Sequence, residues 1–355
     1  MTARTASFIS YLSGLLESGV TQKLFTCASL ILGGRDGTAF EKHVGDVCPP
    51  YRLLASPSTI FDLASLTKPL ATASSLLLLA QQRCLHLSQA LSHFFPLSSG
   101  SPLRMVTLRH LITHTSGLPA WEAFYREHHT KDDVLAAVLH TPLEAPPGAR
   151  YRYSDLGFML LSAVVERVAG TSLADFAQRE IFRPLDMTDT MFCPPSTLLP
   201  QIVPTEFDKG LQRHLRGTVH DENARAMGGV GGHAGLFSTA RDVAKFCQAM
   251  LNGGGLFSKK TLRLMWENQL TAIGAGSSCG WFTPPNPMLP GGDAMPPSAF
   301  GHTGFTGTSA VILPEQKKFL ILLTNRVYYG RSTPEFYEFR RAMYREFARW
   351  ATEVG

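Results

Sequence analysis

The segments with the strongest strand signals in this chain cluster near its two ends. They form two pairs, each predicting a β-hairpin: 24–32 with 39–47, and 308–313 with 318–324. A glycine-rich turn at 33–37 supports the first hairpin. Helices predicted at 5–19 and 334–354 would cover one face of the antiparallel sheet that these strands build. The fold must therefore bring the two ends of the chain together.

The middle of the chain carries mostly helical patterns and loops. Predicted helices there are 76–82, 107–113, 131–140, 156–169, 172–181, 240–251 and 260–266. We therefore expect an α/β lobe made of 1–67 and 270–355, with a mainly helical lobe, 68–269, inserted into it. Together they would form one catalytic unit with its site in the cleft between the lobes, near an irregular loop at 284–297.

Composition narrows the class of protein. A chain of 355 residues with 44% hydrophobic content can bury a sizeable core. The formal charge of +5 is mild, and its clearest basic cluster, in the last predicted helix, is typical of a solvated helix face. Since no basic run is interleaved with aromatic residues, we predict no nucleic-acid binding. A mild preference for anionic substrates is compatible with this charge.

The spacing of the cysteines and the hydrophobicity of the N-terminal segment indicate where in the cell the protein is expected. The six cysteines are scattered without Cys-x-x-Cys pairs: Cys27, Cys48, Cys84, Cys193, Cys247 and Cys279. Free thiols are therefore expected, with neither a zinc site nor a disulfide framework. The start lacks a continuous apolar stretch, and no segment approaches the roughly 20 apolar residues of a membrane span. We expect a cytoplasmic protein that does not bind membranes, or a periplasmic one if a signal had been removed.

The tetrad Ser65-Leu66-Thr67-Lys68 is the strongest functional signal. Residues three apart on a helix have adjacent side chains, so Lys68 can take a proton from Ser65 if burial or nearby charge lowers the lysine pKa. Pro69 and the apolar run 70–80 predict that Ser65 lies near the start of one buried helix. There the helix dipole and free N–H groups stabilise developing negative charge.

Two further motifs follow in order and at wide spacing. Tyr153-Ser154-Asp155 comes after a proline-glycine loop and before an apolar helix, so it is predicted at a loop edge. His302-Thr303-Gly304 precedes the strand-like segment 308–313. A small-residue edge strand of this kind lets a substrate backbone approach closely.

In this order, the three motifs resemble the Ser-x-x-Lys, Tyr-x-Asn and Lys-Thr-Gly set of the penicillin-recognising serine hydrolases. The chain is similar to the branch containing class C β-lactamases, D,D-peptidases and β-lactamase-like esterases, and the likeness extends through 61–69, 108–119 and 147–154. The resemblance implies an α/β, β-lactamase/transpeptidase-like fold: an antiparallel sheet flanked by helices, with an inserted mainly helical lobe. It also implies no cofactor and no metal.

The same resemblance implies roles for individual residues. Ser65 would be the nucleophile that forms an acyl-enzyme, and Lys68 its base or proton relay. Tyr153 would carry the leaving-group proton and help activate the deacylating water. The backbone N–H groups of Ser65 and Phe305 would form the oxyanion hole. Which of Lys68 and Tyr153 acts as the base stays open at this point.

Two positions depart from the commonest motifs. Asp155 stands where the family usually has Asn, and a carboxylate near Lys68 would raise the lysine pKa unless it bonds elsewhere or is protonated. His302 replaces the usual Lys; as imidazolium, below about pH 6.5, it could pair with a substrate carboxylate. We expect weaker recognition of a β-lactam carboxylate as a result. The predicted substrate-binding residues are Asp155, His302, Thr303, Gly304, His220 and His233.

Two further segments suggest a class of substrate through their resemblance to a known subgroup: a charged segment, 217–224, and a glycine-dense segment, 228–239. Together they look like those of bacterial muropeptide amidases, which cut the bond between N-acetylmuramic acid and the peptide stem. His220, Asp221 and His233 could also be imagined as metal ligands, but hydrogen bonds within the loops or contacts to the substrate are the favoured interpretation. His110 and His114 are predicted to hold the turn after a helix.

Several functions stay open from sequence alone. The favoured one is a serine amidase or peptidase acting on a peptidoglycan-derived fragment. The alternatives are a broad carboxylesterase, a β-lactamase, or a penicillin-binding sensor that acylates without turnover. We expect a small-molecule substrate, such as a muropeptide, an ester or a β-lactam, and a monomer or weak oligomer.

Overall fold

The computed structural model describes residues 2–49, 52–253 and 255–354. Its main sheet has five antiparallel strands in the order β2-β1-β10-β9-β8. These strands are β1 (Cys27–Gly34), β2 (Gly37–Gly45), β8 (Phe300–Thr303), β9 (Ser309–Leu313) and β10 (Lys318–Thr324). The β1–β10 pairing, from Ala28 opposite Thr324 to Gly34 opposite Lys318, joins the two ends of the chain as the sequence predicts.

Besides short 3-10 and π-helical turns, the other elements within the described residues are ten α-helices and two small sheets. The helices are α1 (Ala3–Thr21), α2 (Ser74–Gln81), α3 (Leu108–Ile112), α4 (Lys131–His140), α5 (Asp155–Ala169), α6 (Leu173–Ala177), α7 (Glu222–Ala226), α8 (Ala240–Asn252), α9 (Lys259–Trp266) and α10 (Pro334–Val354). A three-stranded sheet has the order β3-β7-β4, and a two-stranded sheet pairs β5 with β6. Their strands are β3 (Phe61–Asp62), β4 (Met191–Phe192), β5 (Phe207–Asp208), β6 (Arg213–His214) and β7 (Leu236–Ser238).

Side chains alternate along each strand, and in the central strands β1, β10 and β9 they are buried on both faces of the main sheet. On β10, Leu320 and Leu322 belong to the apolar core under α1 and α10. Ile321 and Leu323 point the other way, into the larger core that includes the helices of the middle segment. The two terminal helices also contact each other, with the rings of Phe8 and Trp350 stacked at 4.8 Å. The helix α8 lies within the predicted helical lobe but packs against β1 and β10.

Helix α5 is the central helix of the middle segment. Its first ten residues after Asp155 are all buried, so it is apolar on every side. Ser154 caps its start by accepting from the N–H of Gly157, and Gly170 ends it in the left-handed conformation at φ 65°. Among the described residues, no single helix has the length and apolar character needed to cross a bilayer; α5 meets those criteria only together with 173–182, bent by 74° from it.

Candidate active site

Ser65 lies in a short 3-10 turn, Ala64–Leu66, directly after β3. A π-helical turn, Lys68–Ala73, follows, and only then does α2 begin. The predicted buried helix with Ser65 near its start is present, but its first turns are 3-10 and π-helical, not α-helical. Pro69 has no amide hydrogen, and its ring excludes a regular helical position for the carbonyl of Ser65, four residues back. Such irregular turns are frequent at functional sites.

The residue before the nucleophile has an unusual backbone. Ala64 has φ 46°, in the left-handed region that residues with a Cβ seldom occupy. This conformation costs about 1–3 kcal/mol. Its N–H donates to the buried Asp62 carboxylate at 2.8 Å, which helps to hold it. The strained turn presents Ser65 at the wall of the cleft.

Lys68 is completely buried and reaches three oxygen atoms. Its Nζ lies 2.9 Å from Ser65 Oγ, 3.0 Å from the carbonyl oxygen of His233 and 2.6 Å from Asp155 Oδ1. Burial lowers the lysine pKa, but the negative charge of Asp155 and the Tyr153 hydroxyl outweigh burial and hold it above its usual value. Lys68 is therefore an ammonium in the resting site, held in one position by its partners.

Tyr153 completes the group of reactive side chains. Its hydroxyl interacts with both Lys68 and Ser65; burial raises the tyrosine pKa, and the lysine charge acts against this rise. The ring is packed against His114, with centroids 4.6 Å apart. The His114 Nδ1 accepts from the N–H of Ser154 at 3.1 Å, so this histidine positions the tyrosine loop, and burial together with the Lys68 charge lowers its pKa to about 3.

The third motif is held against the nucleophile by hydroxyl groups of the turn that follows it. Thr306 Oγ1 donates to the carbonyl of Asp62 at 2.7 Å, and Thr308 Oγ1 donates to that of Leu63 at 2.9 Å. Gly304 approaches Leu63 so closely that a Cβ would collide with its carbonyl. Phe305 and Ser65 consequently line the same cleft, where the predicted oxyanion hole requires them.

His302 occupies a different place from the one expected. Its ring is fully buried, stacks on Phe282 at 4.1 Å, and has Nδ1 2.9 Å from the Thr303 carbonyl. Burial and the charge of Lys68 hold its pKa well below the ordinary value, so the ring is neutral. The expectation that His302 pairs with substrate as imidazolium is therefore wrong, while Thr303 and Gly304 do line the cleft.

His233 also lies in the core. Its Nδ1 donates to the Gly231 carbonyl at 2.9 Å and its Nε2 to Asp221 Oδ1 at 2.8 Å. Burial lowers its pKa, but Asp221 outweighs burial and the pKa is raised, so His233 is an imidazolium. The sequence predicts that His233 contacts the substrate directly, but its ring is buried and does not reach the cleft. His233 instead supplies the backbone carbonyl that accepts a hydrogen bond from Lys68.

His220 lies at the cleft wall, as does Asp221. The N–H of His220 donates to Asp62 Oδ2 at 2.7 Å, and its Nε2 lies 2.9 Å from Glu206 Oε2. Its ring stacks on Phe305 at 5.6 Å. His220 is therefore in a position to contact a substrate. Among the described residues, no group of three or more His, Cys, Asp or Glu side chains could hold a metal ion.

The cleft has a volume of about 660 Å³ and opens at Ser65, Tyr153 and Asp155. Part of its wall, 287–291, belongs to the loop that the sequence places near the cleft. Sequence reasoning missed another part: Trp121, Arg326, Arg331, Tyr337, Arg340 and Arg341. The last two were expected on a solvated face of the final helix. Arg341 is exposed as expected, whereas Arg340 is partly buried, and both line the cleft. Arg341, Arg345 and Arg349 are spaced four residues apart and share one face of α10, so the helical period alone does not show which arginines meet the cleft. Only the packing of the helix shows it.

These positions define what the site can do. A serine hydroxyl beside an ammonium and a phenol can attack a carbonyl carbon while protons move through Lys68 and Tyr153. The backbone at Ser65 and Phe305 borders the place where the oxyanion would form. The arrangement suits acyl transfer.

We compared the sequence of the chain with models of known protein families. The sequence profile of the beta-lactamase family matches residues 19–341. The chain belongs to the beta-lactamase family. It is a serine hydrolase of this family, as the three motifs indicate. A protein of Escherichia coli K12 named "Putative D-alanyl-D-alanine carboxypeptidase" is 34% identical over 334 residues, covering 84% of this chain and 76% of that protein.

Solved structures of beta-lactamase-like proteins share the fold. A class C beta-lactamase from Rhodobacter sphaeroides superposes with a TM-score of 0.73 at 19% identity, covering 95% of this chain and 98% of that one. EstCE1, a hydrolase with promiscuous acyltransferase activity, has a TM-score of 0.75 at 19% identity and covers 98% of both chains. The predicted β-lactamase/transpeptidase-like fold is confirmed.

Proposed function

We propose that the protein hydrolyses an amide bond in a peptidoglycan-derived fragment, through an acyl-enzyme on Ser65. The observation that carries the proposal is the cleft itself: Ser65, Lys68 and Tyr153 meet at one wall of a cavity of about 660 Å³ that is rich in arginine. A small neutral ester needs neither this volume nor this charge. A muropeptide, with its sugar, peptide and carboxylates, uses both.

The bond that is cut would be the amide between N-acetylmuramic acid and the peptide stem, or a peptide bond within the stem. The segment with His220 and Asp221 supports the first bond, because this segment resembles that of muropeptide amidases and its residues line the cleft. The name of the Escherichia coli relative supports the second. We also propose that the protein acts in the cytoplasm, where it would encounter soluble fragments of the cell wall.

The test is product analysis with one substrate that contains both bonds. An N-acetylmuramyl-pentapeptide ending in D-alanyl-D-alanine is incubated with the enzyme, and the products are separated and weighed by mass spectrometry. Release of the intact pentapeptide identifies an amidase, and release of free D-alanine a carboxypeptidase. Ser65→Ala should abolish either product, whereas Ser99→Ala, at an exposed serine, should leave it unchanged. Absence of any Ser65-dependent product would refute the proposal.

A carboxylesterase is the second candidate. It is favoured by the neutral, buried His302, which leaves the third motif without the usual cation. The fold shared with EstCE1 is compatible with it. If short acyl esters are turned over with a kcat/KM far above that for the muropeptide, the esterase replaces the amidase. If a β-lactam acylates Ser65 and the acyl group is not released, the protein is instead a penicillin-binding sensor that acylates without turnover.

A further inference from the structure

Several arginines surround one end of the cleft, but they are not alike in their partners. Arg331 is paired with Glu206 at 2.8 Å and with Glu222 at 2.5 Å. Arg326 and Arg340, which also line the cleft, have no carboxylate partner within 2–49, 52–253 and 255–354. Two cationic groups at the cleft wall are therefore left without a countercharge.

Arg326 is buried in a fixed orientation. Its Nη1 donates to the carbonyl of Arg331 and to Thr333 Oγ1, both at 2.9 Å, and the residue is only 1% exposed. Its Nε and Nη2 are buried and have no hydrogen-bond partner in the described part of the chain. These two atoms form one edge of the guanidinium, the edge that binds the two oxygens of a carboxylate in parallel.

Aromatic rings enclose this guanidinium. Its central carbon lies 4.6 Å from the ring centre of Phe305 and 5.1 Å from that of Tyr337. Arg340 lies on the same ring of Tyr337, at 5.5 Å. Burial lowers the pKa of both arginines, that of Arg340 to about 10, and both stay charged at neutral pH. Buried donors without partners are costly, so this cage is more stable with an anion in it.

We propose that Arg326 and Arg340 form a subsite for a carboxylate that the substrate carries away from the scissile bond. The two oxygens accept from Nε and Nη2 of Arg326, and Arg340 adds a second positive charge. Since the free edge is closed to solvent, one side chain of the cage must move to admit the ligand. Tyr337, which is 42% exposed, has the room to do so. The proposal deepens the proposed function, because the peptide stem supplies the carboxylate.

The test measures binding without turnover. Isothermal titration calorimetry with the full-length Ser65→Ala protein compares N-acetylmuramyl-L-alanyl-D-glutamate with its diamide, in which both carboxylates are carboxamides. A charge-assisted bidentate contact predicts about 10-fold or tighter binding of the carboxylate form. Adding Arg326→Gln should reduce this preference to about twofold or less, and Arg326→Lys should not restore it, because Lys lacks the planar fork.

Arg345→Gln is the control, since Arg345 is an exposed arginine of α10, the helix that carries Arg340, and does not line the cleft. It should keep the preference. If Arg326→Gln does not fold, Arg340→Gln is the second variant and should weaken the preference at least threefold. Equal affinities for the two ligands, no binding of either, or a preference that survives both variants would overturn the subsite. Failure of the proposed function is a separate result: the wild-type enzyme binds the carboxylate form but does not cleave it.

Discussion

At the scale of single residues, the site differs from the usual family pattern in the charge around Lys68. Asp155 stands in place of an asparagine and contacts the lysine at 2.6 Å. The carboxylate stabilises the ammonium, so the neutral lysine that could act as a base becomes less available. In the resting site the lysine therefore acts as a charge that steadies Ser65 and Tyr153.

Asp155→Asn should change the pH dependence of catalysis. Removing the carboxylate lowers the Lys68 pKa, because burial is then opposed only by the Tyr153 hydroxyl. If neutral lysine takes the serine proton, the acidic limb of the kcat/KM profile moves to lower pH. Glu267→Gln, which removes an exposed carboxylate from a surface pair, is the control. An unmoved limb in Asp155→Asn would show that Lys68 is not the titrating base.

The buried pair of Asp221 and His233 predicts a pH dependence of stability. The Asp221 pKa is lowered in the folded protein, despite burial, by the His233 charge; the His233 pKa is raised. The aspartate contribution is present above about pH 4 and is lost as pH falls through its lowered value. The histidine contribution is complete below about pH 6.5 and is lost as pH rises through its raised value.

Asp221→Asn should therefore destabilise the protein most between about pH 4 and pH 6.5. The measurement is the free energy of unfolding of wild type and variant from pH 4 to pH 9. Above about pH 6.5 the difference should shrink, because His233 is then neutral in the unfolded chain and folding must take up a proton to form the pair. It should be smallest once the pH exceeds the raised His233 pKa of the folded protein. A constant difference across this range would mean that the pair does not titrate as described.

At the scale of elements, the oxyanion geometry depends on the contact between the end of β3 and the turn after β8. Two threonine hydroxyls and the close approach of Gly304 fasten these segments together. Neither segment contains a catalytic side chain apart from Ser65. Their fit decides whether two backbone N–H groups converge on one oxygen atom.

Gly304→Ala should impair catalysis while the fold persists. The new Cβ meets the Leu63 carbonyl and Thr308 Oγ1, so the turn must move away from Ser65. Loss of one oxyanion donor costs about 100-fold or more in kcat. Gly14→Ala, in a helix with open space around it, should leave kcat unchanged. Full activity in Gly304→Ala would show that this contact does not set the oxyanion hole.

Elements with strong local patterns could be predicted from the sequence. The bounds of α4, α10 and β10 agree with the predicted ones because each has a clear period and clear ends. The π-helical turn after Ser65 and the two-residue strands β3 and β4 could not be predicted. They depend on contacts with distant segments, such as Phe61 opposite Ser238, which no local period records.

At the scale of the whole molecule, the fold places three motifs from distant parts of the chain around one cleft. The motifs themselves could be found in the sequence because their residue types and order are distinctive. Whether a ring faces the core or the cleft could not, and so His302 and His233, both buried, were misplaced. The arginines of the cleft were missed because Arg326 and Arg340 come from separate elements that meet only when α10 packs on the sheet.

The mechanism depends on Ser65 being an activated nucleophile. A fluorophosphonate, which acylating serine hydrolases attack regardless of their natural substrate, followed by peptide mapping in a mass spectrometer, tests it most directly. We predict one adduct on Ser65, none in Ser65→Ala, and labelling slowed by orders of magnitude in Lys68→Ala. An adduct on another serine, or equal labelling of wild type and Ser65→Ala, would contradict it.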